Sequence, residues 1–527
     1  MFVSVTGWLD REPIAEVDNL GTDQNLTRVA MRGMVWALSG HAAVTAMSLI
    51  AQIVLGWYLS QDDFGVYALA IGLTNILQVC RDGGAAIWLA RQPPDEFREN
   101  SGPAFWTVVF LAALVTAAML VVAPLAAGVY QDRTIAWLIL ISALATPLEA
   151  VSIIPIVDLQ VHMRFAELAK LRALNGLVRH GLAVLFAILG FGPFSFVIPV
   201  VMVAVIQATI LYVITKIQPW RSAPTWNRCR GVLRQSGWAL AGTLANAVFR
   251  QVDYLALGLV ATTNVVGIYF FAYQLSIQPI LLLSQNLRRI VLPTFSRVQD
   301  DPPRRTRAAL RGITVIAFLS TTVTCWIALS IELLERFIWN GLWADATSPV
   351  RALCVAMPFH LLVLFARMVI QSTGKFQVVA LTIGIRGMGL GMVVLLCGRS
   401  SSPSASGVAV WVATYLILSG LIEAVIHFRQ SKIPVCAAMT SFLAPYVFIS
   451  ASAMLVHWAA SNWLEHQPNW VQLAGLTVLF FMTVGIGCRL VFARSISELG
   501  TLARQFAAPA RRVEAEGASS SSDQEPS

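Results

Sequence analysis

The chain has 527 residues, of which 57% are hydrophobic and only 12% charged, and its formal net charge is +9. A soluble domain carries about 25% charged residues, and a water-soluble fold of this size does not bury so much apolar side chain. The composition therefore excludes a soluble enzyme and a disordered protein, and it predicts an integral membrane protein.

Apolar segments long enough to cross a bilayer, which takes about 20 residues, recur along the whole chain. The second segment is interrupted by Arg81, Asp82, Gly83 and Gly84, and the fifth contains Arg179 and His180. The pattern predicts an all-α membrane protein with fourteen transmembrane helices, at residues 31–59, 64–90, 104–129, 134–157, 168–190, 193–215, 236–260, 265–287, 310–330, 349–371, 377–397, 407–427, 440–459 and 470–490.

The distribution of basic residues supports this number of helices. With a cytoplasmic N-terminus, 28 basic residues fall in the tails and loops of the cytoplasmic side and only Arg133, Arg336, Arg351 and Arg399 on the opposite side. Cytoplasmic loops of membrane proteins are enriched in Lys and Arg, and one helix more or fewer would destroy the alternation. We therefore expect both termini in the cytoplasm.

The chain repeats itself at an offset of 202 residues. Ten of the 35 positions in 36–70 are identical in 238–272, among them Trp36 with Trp238 and Tyr67 with Tyr269. Six helices separate the copies, so both run in the same direction, as in the parallel repeats of rocking transporters. The repeat predicts a cytoplasmic N-terminal tail (1–30), a first lobe (31–215), a basic cytoplasmic linker (216–235), a second lobe (236–430), two further helices (431–490) and a partly disordered cytoplasmic tail (491–527).

Motifs of the common membrane and soluble enzymes are missing from the sequence. It has no GxxxxGK[ST], HExxH or GxSxG, its seven cysteines show no zinc-ligand spacing, and the longest outer loop, about 331–348, is short. Asp62 and Asp63 in the first outer turn resemble the acid of a glycosyltransferase, but aspartates near a helix N-terminus usually cap the helix. We expect no cofactor, no metal and no nucleic-acid partner.

Charged residues at bilayer depth are costly unless paired or hydrated, so each is a functional candidate. The planar guanidinium of arginine grips phosphate with two hydrogen bonds, and arginines in a central cleft suit a pyrophosphate head group. For each arginine the alternative is pairing with a neighbouring carboxylate. The candidate phosphate-binding residues are Arg250, Arg81, Arg179, Arg367 and Arg386.

Four carboxylates lie at similar depth and are candidates for coupling transport to an ion gradient or for setting the rotamer of an arginine. They are Asp253, Asp82, Glu149 and Glu423. Arg250 and Asp253 are three residues apart on one helix, so they are able to pair. The alternative for the acids is a purely structural, hydrogen-bonded role.

Proline interrupts the backbone hydrogen bonding of two predicted helices. Pro279 lies in the eighth and Pro358 in the tenth. Because proline removes an N–H donor and kinks a helix, these positions are candidate hinges, with static bends as the alternative.

Several short motifs resemble the polysaccharide flippases of the multidrug/oligosaccharidyl-lipid/polysaccharide exporter superfamily. In the first lobe they are the Val-Trp helix start after Gly33, the turn Asp62-Asp63-Phe64-Gly65-Val66-Tyr67 and the break Asp82-Gly83-Gly84. In the second lobe they are Arg250-Gln251-Val252-Asp253-Tyr254, then Gly267-Ile268-Tyr269, and a basic connection ending in Pro293-Thr294-Phe295-Ser296-Arg297. The resemblance covers residues 30–430.

The resemblance implies a V-shaped pair of six-helix lobes in the bacterial inner membrane. Its members move undecaprenyl-pyrophosphate-linked repeat units to the periplasmic leaflet for exopolysaccharide, capsule or O-antigen synthesis, and they work beside polymerases and chain-length or export proteins. It also implies a cationic cleft, for which Arg250 and Asp253 are the closest matches. The alternatives are a drug or cation antiporter of the same superfamily and a membrane polysaccharide polymerase or ligase.

Overall fold

The computed structural model describes residues 44–45, 47–90, 92, 94–221, 226–297, 301–398, 403–463 and 467–491. The predicted N-terminal tail, the start of the first predicted helix, part of the basic linker and almost all of the C-terminal tail lie outside the described residues. The described helices are α1 Met47–Tyr58, α2 Gln61–Leu89, α3 Pro94–Tyr130, α4 Arg133–Val161, α5 Phe165–Ile188, α6 Phe194–Thr215, α7 Trp226–Gly258, α8 Thr263–Arg297, α9 Pro302–Ile338, α10 Ala344–Gln371, α11 Phe376–Cys397, α12 Ala405–Gln430, α13 Val435–Trp463 and α14 Asn469–Val491.

Each of these helices corresponds to one of the fourteen predicted segments. Within the described residues, twelve are long and apolar enough to cross a membrane. The other two are α1, described only over Met47–Tyr58, and α7, whose first turns carry Arg228, Arg230 and Arg234. The prediction of an all-helical, multi-span membrane protein is confirmed.

Polar side chains fix the starts of several helices. Ser60 and Asp63 form a capping box at α2: the Asp63 amide donates to Ser60 Oγ at 3.1 Å, and the Ser60 amide donates to Asp63 Oδ2 at 2.9 Å. Asp132 accepts from the Thr134 amide at the start of α4, and Asp301 caps α9 just before Pro302. Such caps contribute about 1 kcal/mol each. Asp63 is therefore a capping residue, and Asp62 occupies the same turn.

Two helices are interrupted where the sequence gives a reason. In α2 the α-helix ends at Gln78, and Gly83 and Gly84 adopt positive φ angles of 55° and 80° before the helix resumes at Ala85. This confirms the predicted break. In α4 the break falls at Ser152, and Pro155 has no N–H to donate to Val151 O. The Tyr212 hydroxyl of α6 donates to that carbonyl instead, at 2.7 Å.

The two lobes, α1–α6 and α7–α12, meet at one end of the molecule through contacts that repeat with the 202-residue offset. Gln61 and Asn264 join through their side-chain amides at 3.0 Å, and the Thr263 hydroxyl donates to Asp62 Oδ1 at 2.7 Å. Residues 263 and 264 are the repeat equivalents of 61 and 62, so each contact is the other's counterpart about a local two-fold axis. This geometry supports the internal repeat.

Aromatic side chains continue this junction with the same reciprocity. Trp339, just after α9 of the second lobe, donates to Ile53 O of the first lobe at 3.0 Å. Tyr130, at the end of α3 of the first lobe, donates to Leu255 O of the second lobe at 3.2 Å. Ile53 and Leu255 are again 202 residues apart. We call this end, formed by residues 59–63, 261–264 and 338–343, the closed end.

The last two helices pack outside the lobes. Helices α13 and α14 lie against α9, where Ile449 and Phe480 are fully buried. Trp326 of α9 donates to the Thr477 hydroxyl of α14 at 3.2 Å. Both helices therefore accompany the second lobe.

Candidate functional site

A cavity of about 280 Å³ lies between the lobes. Its walls come from α1 and α5 of the first lobe and α8 of the second. Arg179 lies nine residues before the end of α5, or about 14 Å along the helix, and Gln278 lies 15 residues into α8, or about 22 Å. Both distances start at the closed end, and Gln285 lies 22 residues, or about 33 Å, into α8. The cavity therefore extends from the interior of a hydrocarbon core about 30 Å thick toward the end opposite the closed end.

Arg179 is the predicted arginine that lines this cavity. Its side chain is exposed, it interacts with the Tyr67 hydroxyl, and it forms no ion pair with a carboxylate in the described part of the chain. Tyr67 is itself held by stacking on Phe196, with ring centroids 4.1 Å apart. A guanidinium supported by a neutral partner keeps its charge available for an anion.

The structure separates Arg250 from Asp253. Arg250 is exposed on α7, whereas Asp253 is only 2% exposed and accepts hydrogen bonds from the Tyr269 hydroxyl and the Tyr254 amide, each at 3.0 Å. The ion pair that their spacing allowed is not formed, because the Asp253 carboxylate lies between α7 and α8, where Tyr269 is the donor. Arg250 does not line the cavity described above.

Tyr67 and Tyr269 are equivalent positions of the repeat, and the hydroxyl of each contacts a charged side chain in its own lobe. Tyr67 contacts Arg179 in the first lobe, and Tyr269 donates to Asp253 in the second. The sequence shows this pair, since both tyrosines belong to the repeated Gly-x-Tyr motif. The sequence does not show the partner of each hydroxyl, because Arg179 lies on a helix outside the aligned repeat and Asp253 stands where the first copy has Ala51.

Arg367, Arg386 and Glu423 form one buried cluster inside the second lobe. Each is 4% exposed. Arg367 grips Glu423 with two hydrogen bonds of 2.7 and 3.0 Å, and Arg386 Nη1 donates to the same carboxylate at 3.3 Å. The Phe249 ring lies under both guanidinium groups, 5.1 Å from Arg386 and 5.9 Å from Arg367.

The geometry of this cluster favours the structural alternative for its three members. Arg386 also donates to Ser419 Oγ at 2.9 Å and to Leu416 O at 3.2 Å, so most of its donors are used within the protein. The cluster ties α10, α11 and α12 together. A role for it in binding cargo stays a prediction.

Arg81 and Glu149 pair with each other between α2 and α4 of the first lobe, and both side chains are partly exposed. Asp82 accepts a hydrogen bond from the Gly84 amide at 3.3 Å and thereby supports the break in α2. These contacts give Arg81, Glu149 and Asp82 structural partners, and their functional roles stay predictions.

The two candidate hinge prolines lie inside long helices. Helix α8 continues through Pro279, and α10 continues from Ala344 to Gln371 through Pro358. Their action as hinges stays a prediction.

The cavity also contains polar residues that the sequence did not single out. Gln278 and Gln285 of α8 and Ser48 of α1 face it together with Arg179 and His180. Gln278 and Gln285 are seven residues apart and therefore share one face of the helix. This spacing of two polar, uncharged residues is visible in the sequence of an otherwise apolar helix.

Comparison with known proteins places these features in a family context. The family model described as "Polysaccharide biosynthesis protein" matches residues 54–348. The succinoglycan biosynthesis transport protein ExoT of Rhizobium meliloti (strain 1021) is 22% identical over 469 residues, which cover 84% of this chain and 89% of that protein.

Solved structures of transporters share the fold. A lipid II flippase, MurJ, in an inward closed conformation superposes with a TM-score of 0.67 and 11% identity, covering 87% of this chain and 100% of the flippase. An inward-facing multidrug resistance transporter of the MATE family, in the multidrug/oligosaccharidyl-lipid/polysaccharide exporter superfamily, gives a TM-score of 0.59 and 13% identity over 75% of this chain and 96% of that structure. The family and these neighbours are transporters and not enzymes.

Proposed function

The chain belongs to the polysaccharide biosynthesis protein family, and from that premise we propose that it is a lipid-linked oligosaccharide flippase. Its cargo is a repeat unit on undecaprenyl pyrophosphate, which it moves across the bacterial inner membrane for exopolysaccharide, capsule or O-antigen synthesis. The observation that carries this proposal is the cavity between the lobes with Arg179 in its wall.

Of the five candidate arginines, Arg179 and Arg250 have no carboxylate partner among the described residues, and we assign the phosphate to Arg179 because it is the one that lines the cavity. Arg250 is the repeat equivalent of Ser48, and Ser48 lines the cavity from α1. The repeat therefore places Arg250 on α7 at the position that Ser48 has on α1, outside the cavity lining. A phosphate beside the Arg179 guanidinium receives charge-assisted, bidentate hydrogen bonds.

The closed end corresponds to the periplasmic side under the proposed orientation, with both termini in the cytoplasm. The contacts of Gln61 with Asn264 and of Asp62 with Thr263 then seal the outer side. The described conformation is accordingly an inward-facing state that admits cargo from the cytoplasm.

Asp253 is the coupling site that the geometry favours. Of the four predicted carboxylates, Glu149 and Glu423 are paired with arginines and Asp82 supports a backbone break. Asp253 is buried with only neutral donors bound to it. A carboxylate at bilayer depth without a cationic partner is a site for a proton or a metal cation. Binding and release of that cation by Asp253 then couples an ion gradient to the transport cycle. Pro279 and Pro358 serve as hinges.

Leaflet distribution of the lipid-linked oligosaccharide tests the function. In spheroplasts with the protein, an impermeant periodate or lectin probe should reach the sugar, whereas without the protein the same lipid should accumulate protected on the cytoplasmic side. The Arg179→Ala variant should reproduce the deletion, and Arg133→Ala, at the closed end, should not. Normal outward movement in the deletion strain would refute the flippase, and efflux of a cationic drug would then identify an antiporter.

A further inference from the structure

The cavity wall specifies which part of the head group enters it and with what charge. Its volume of about 280 Å³ is near the lower limit of ligand pockets, roughly 300–1,000 Å³. That space suits a phosphate and the sugar attached to it.

The wall contributed by α8 is built for a neutral sugar. Gln278 and Gln285 lie seven residues apart, about 10.5 Å along the helix, with Leu281 and Leu282 between them. A carboxamide donates and accepts hydrogen bonds at once, as sugar hydroxyl groups require. The leucines offer an apolar surface to the C–H face of the ring.

The charges of the lining residues also favour a neutral sugar. Among the described lining residues Arg179 is the permanently charged side chain, and none of them is an aspartate or a glutamate. A phosphate beside Arg179 consumes that charge. A carboxylate on the first sugar would then face carboxamides, leucines and the His180 imidazole without a permanent cation, and burying a charge without a partner is strongly unfavourable.

We propose that Gln278 and Gln285 select cargo whose first, phosphate-linked sugar is uncharged, and that they exclude cargo whose first sugar is a uronic acid. This inference rests on the proposed flippase function. Gln278 and Gln285 are then specificity-determining residues, and Arg179 supplies affinity for the phosphate that both kinds of cargo share.

Purified protein in proteoliposomes, with two synthetic lipids, tests the selection. The lipids are polyprenyl-pyrophosphate-linked glucose and the matching glucuronic acid lipid. The neutral lipid should be flipped at least about tenfold faster. Gln285→Arg places a second cation in the wall and should raise the rate for the acidic lipid. Gln274→Arg, 11 residues or about three turns earlier on α8 and outside the cavity lining, should leave the preference unchanged.

Each outcome decides between the two ideas. Equal rates for both lipids, or a faster acidic lipid, would overturn the selection and leave the flippase function standing. No movement of either lipid in protein that remains folded would overturn both. An unchanged preference in Gln285→Arg would remove that residue from the sugar site.

Discussion

Gly65 and Gly267 occupy equivalent positions of the two repeats and touch each other across the lobe interface. A Cβ built on Gly65 would lie 3.1 Å from the Gly267 amide nitrogen, and one on Gly267 would lie 2.9 Å from the Gly65 nitrogen. The same Cβ atoms would collide with the carbonyl oxygens of Thr263 and Gln61. Because backbone and not a flexible side chain occupies the space, the two helices can approach this closely only with glycine at both positions.

Substituting these glycines should open the closed end. In Gly65→Ala or Gly267→Ala the methyl group has no room in the inward-facing state, so the equilibrium should shift away from it and flipping should be lost. The measurement is the spin-label distance between Arg133→Cys and Asp345→Cys, exposed positions of opposite lobes at that end, in a background without the seven native cysteines.

Gly128→Ala is the matched control for the glycine variants, since nothing lies within 4 Å of a Cβ at this position. It should retain both the distance distribution and transport. An unchanged distance in Gly65→Ala would show that the closed end tolerates the added methyl group.

Arg179 should contribute to phosphate affinity and little to folding. Hydrogen bonds to charged groups are worth about 1.5–3 kcal/mol, so Arg179→Ala should weaken binding of polyprenyl pyrophosphate by about ten- to hundredfold. Arg179→Lys should recover part of this, because a lysine keeps the charge but not the bidentate geometry. The test is fluorescence binding in nanodiscs, and affinity within twofold of the wild type for Arg179→Ala would contradict the assignment.

Asp253→Asn should uncouple transport from the ion gradient. A carboxamide oxygen still accepts from the Tyr269 hydroxyl, so the packing between α7 and α8 should persist, but the position no longer binds a cation. Flipping in proteoliposomes should continue without stimulation by an imposed proton or sodium gradient. Asp301→Asn, a helix cap in which asparagine serves equally well, should keep the stimulation. A stimulated Asp253→Asn would move the coupling site elsewhere.

Glu423 should matter for stability far more than an exposed glutamate with the same number of arginine partners. Glu423→Gln leaves Arg367 and Arg386 buried without a counter-charge, and breaking such a buried network costs about 3–5 kcal/mol. Glu332 also pairs with two arginines, Arg336 and Arg351, but its side chain is 43% exposed, and exposed pairs contribute about 0–1 kcal/mol.

Thermal unfolding of the detergent-solubilised protein measures this difference. The melting temperature should fall markedly for Glu423→Gln and little for Glu332→Gln. Adding Arg386→Gln to Glu423→Gln should recover part of the loss, because it removes one uncompensated charge. Equal melting temperatures for the two single variants would show that the buried cluster does not stabilise the second lobe.

The sequence predicts the helices well because each is encoded by local hydropathy. The predicted fifth segment, 168–190, lies within two or three residues of α5, Phe165–Ile188. The break in α2 is encoded by Gly83 and Gly84, and the symmetry of the closed end by the repeat that aligns Gly65 with Gly267.

The partners of the charged residues are not predictable in the same way, because they depend on contacts between helices distant in sequence. Glu423 lies 56 residues from Arg367 and 37 from Arg386, and nothing local tells that one carboxylate serves both. Local spacing even suggested that Arg250 pairs with Asp253 on its own helix, whereas in the tertiary structure Asp253 accepts a hydrogen bond from Tyr269.

The reciprocal contact of Gly65 and Gly267 makes the interface of the lobes isologous, like that of a symmetric dimer. Each repeat contributes the same glycine and an equivalent turn of different sequence, Gln61-Asp62 and Thr263-Asn264, so the interface is symmetric in its backbone and not in its side chains. The backbone of one lobe therefore meets that of the other as it would meet a second copy of itself in parallel orientation. The fused chain keeps that dimer geometry while its two halves are free to diverge, and Asp253 opposite Ala51 is one result of that freedom.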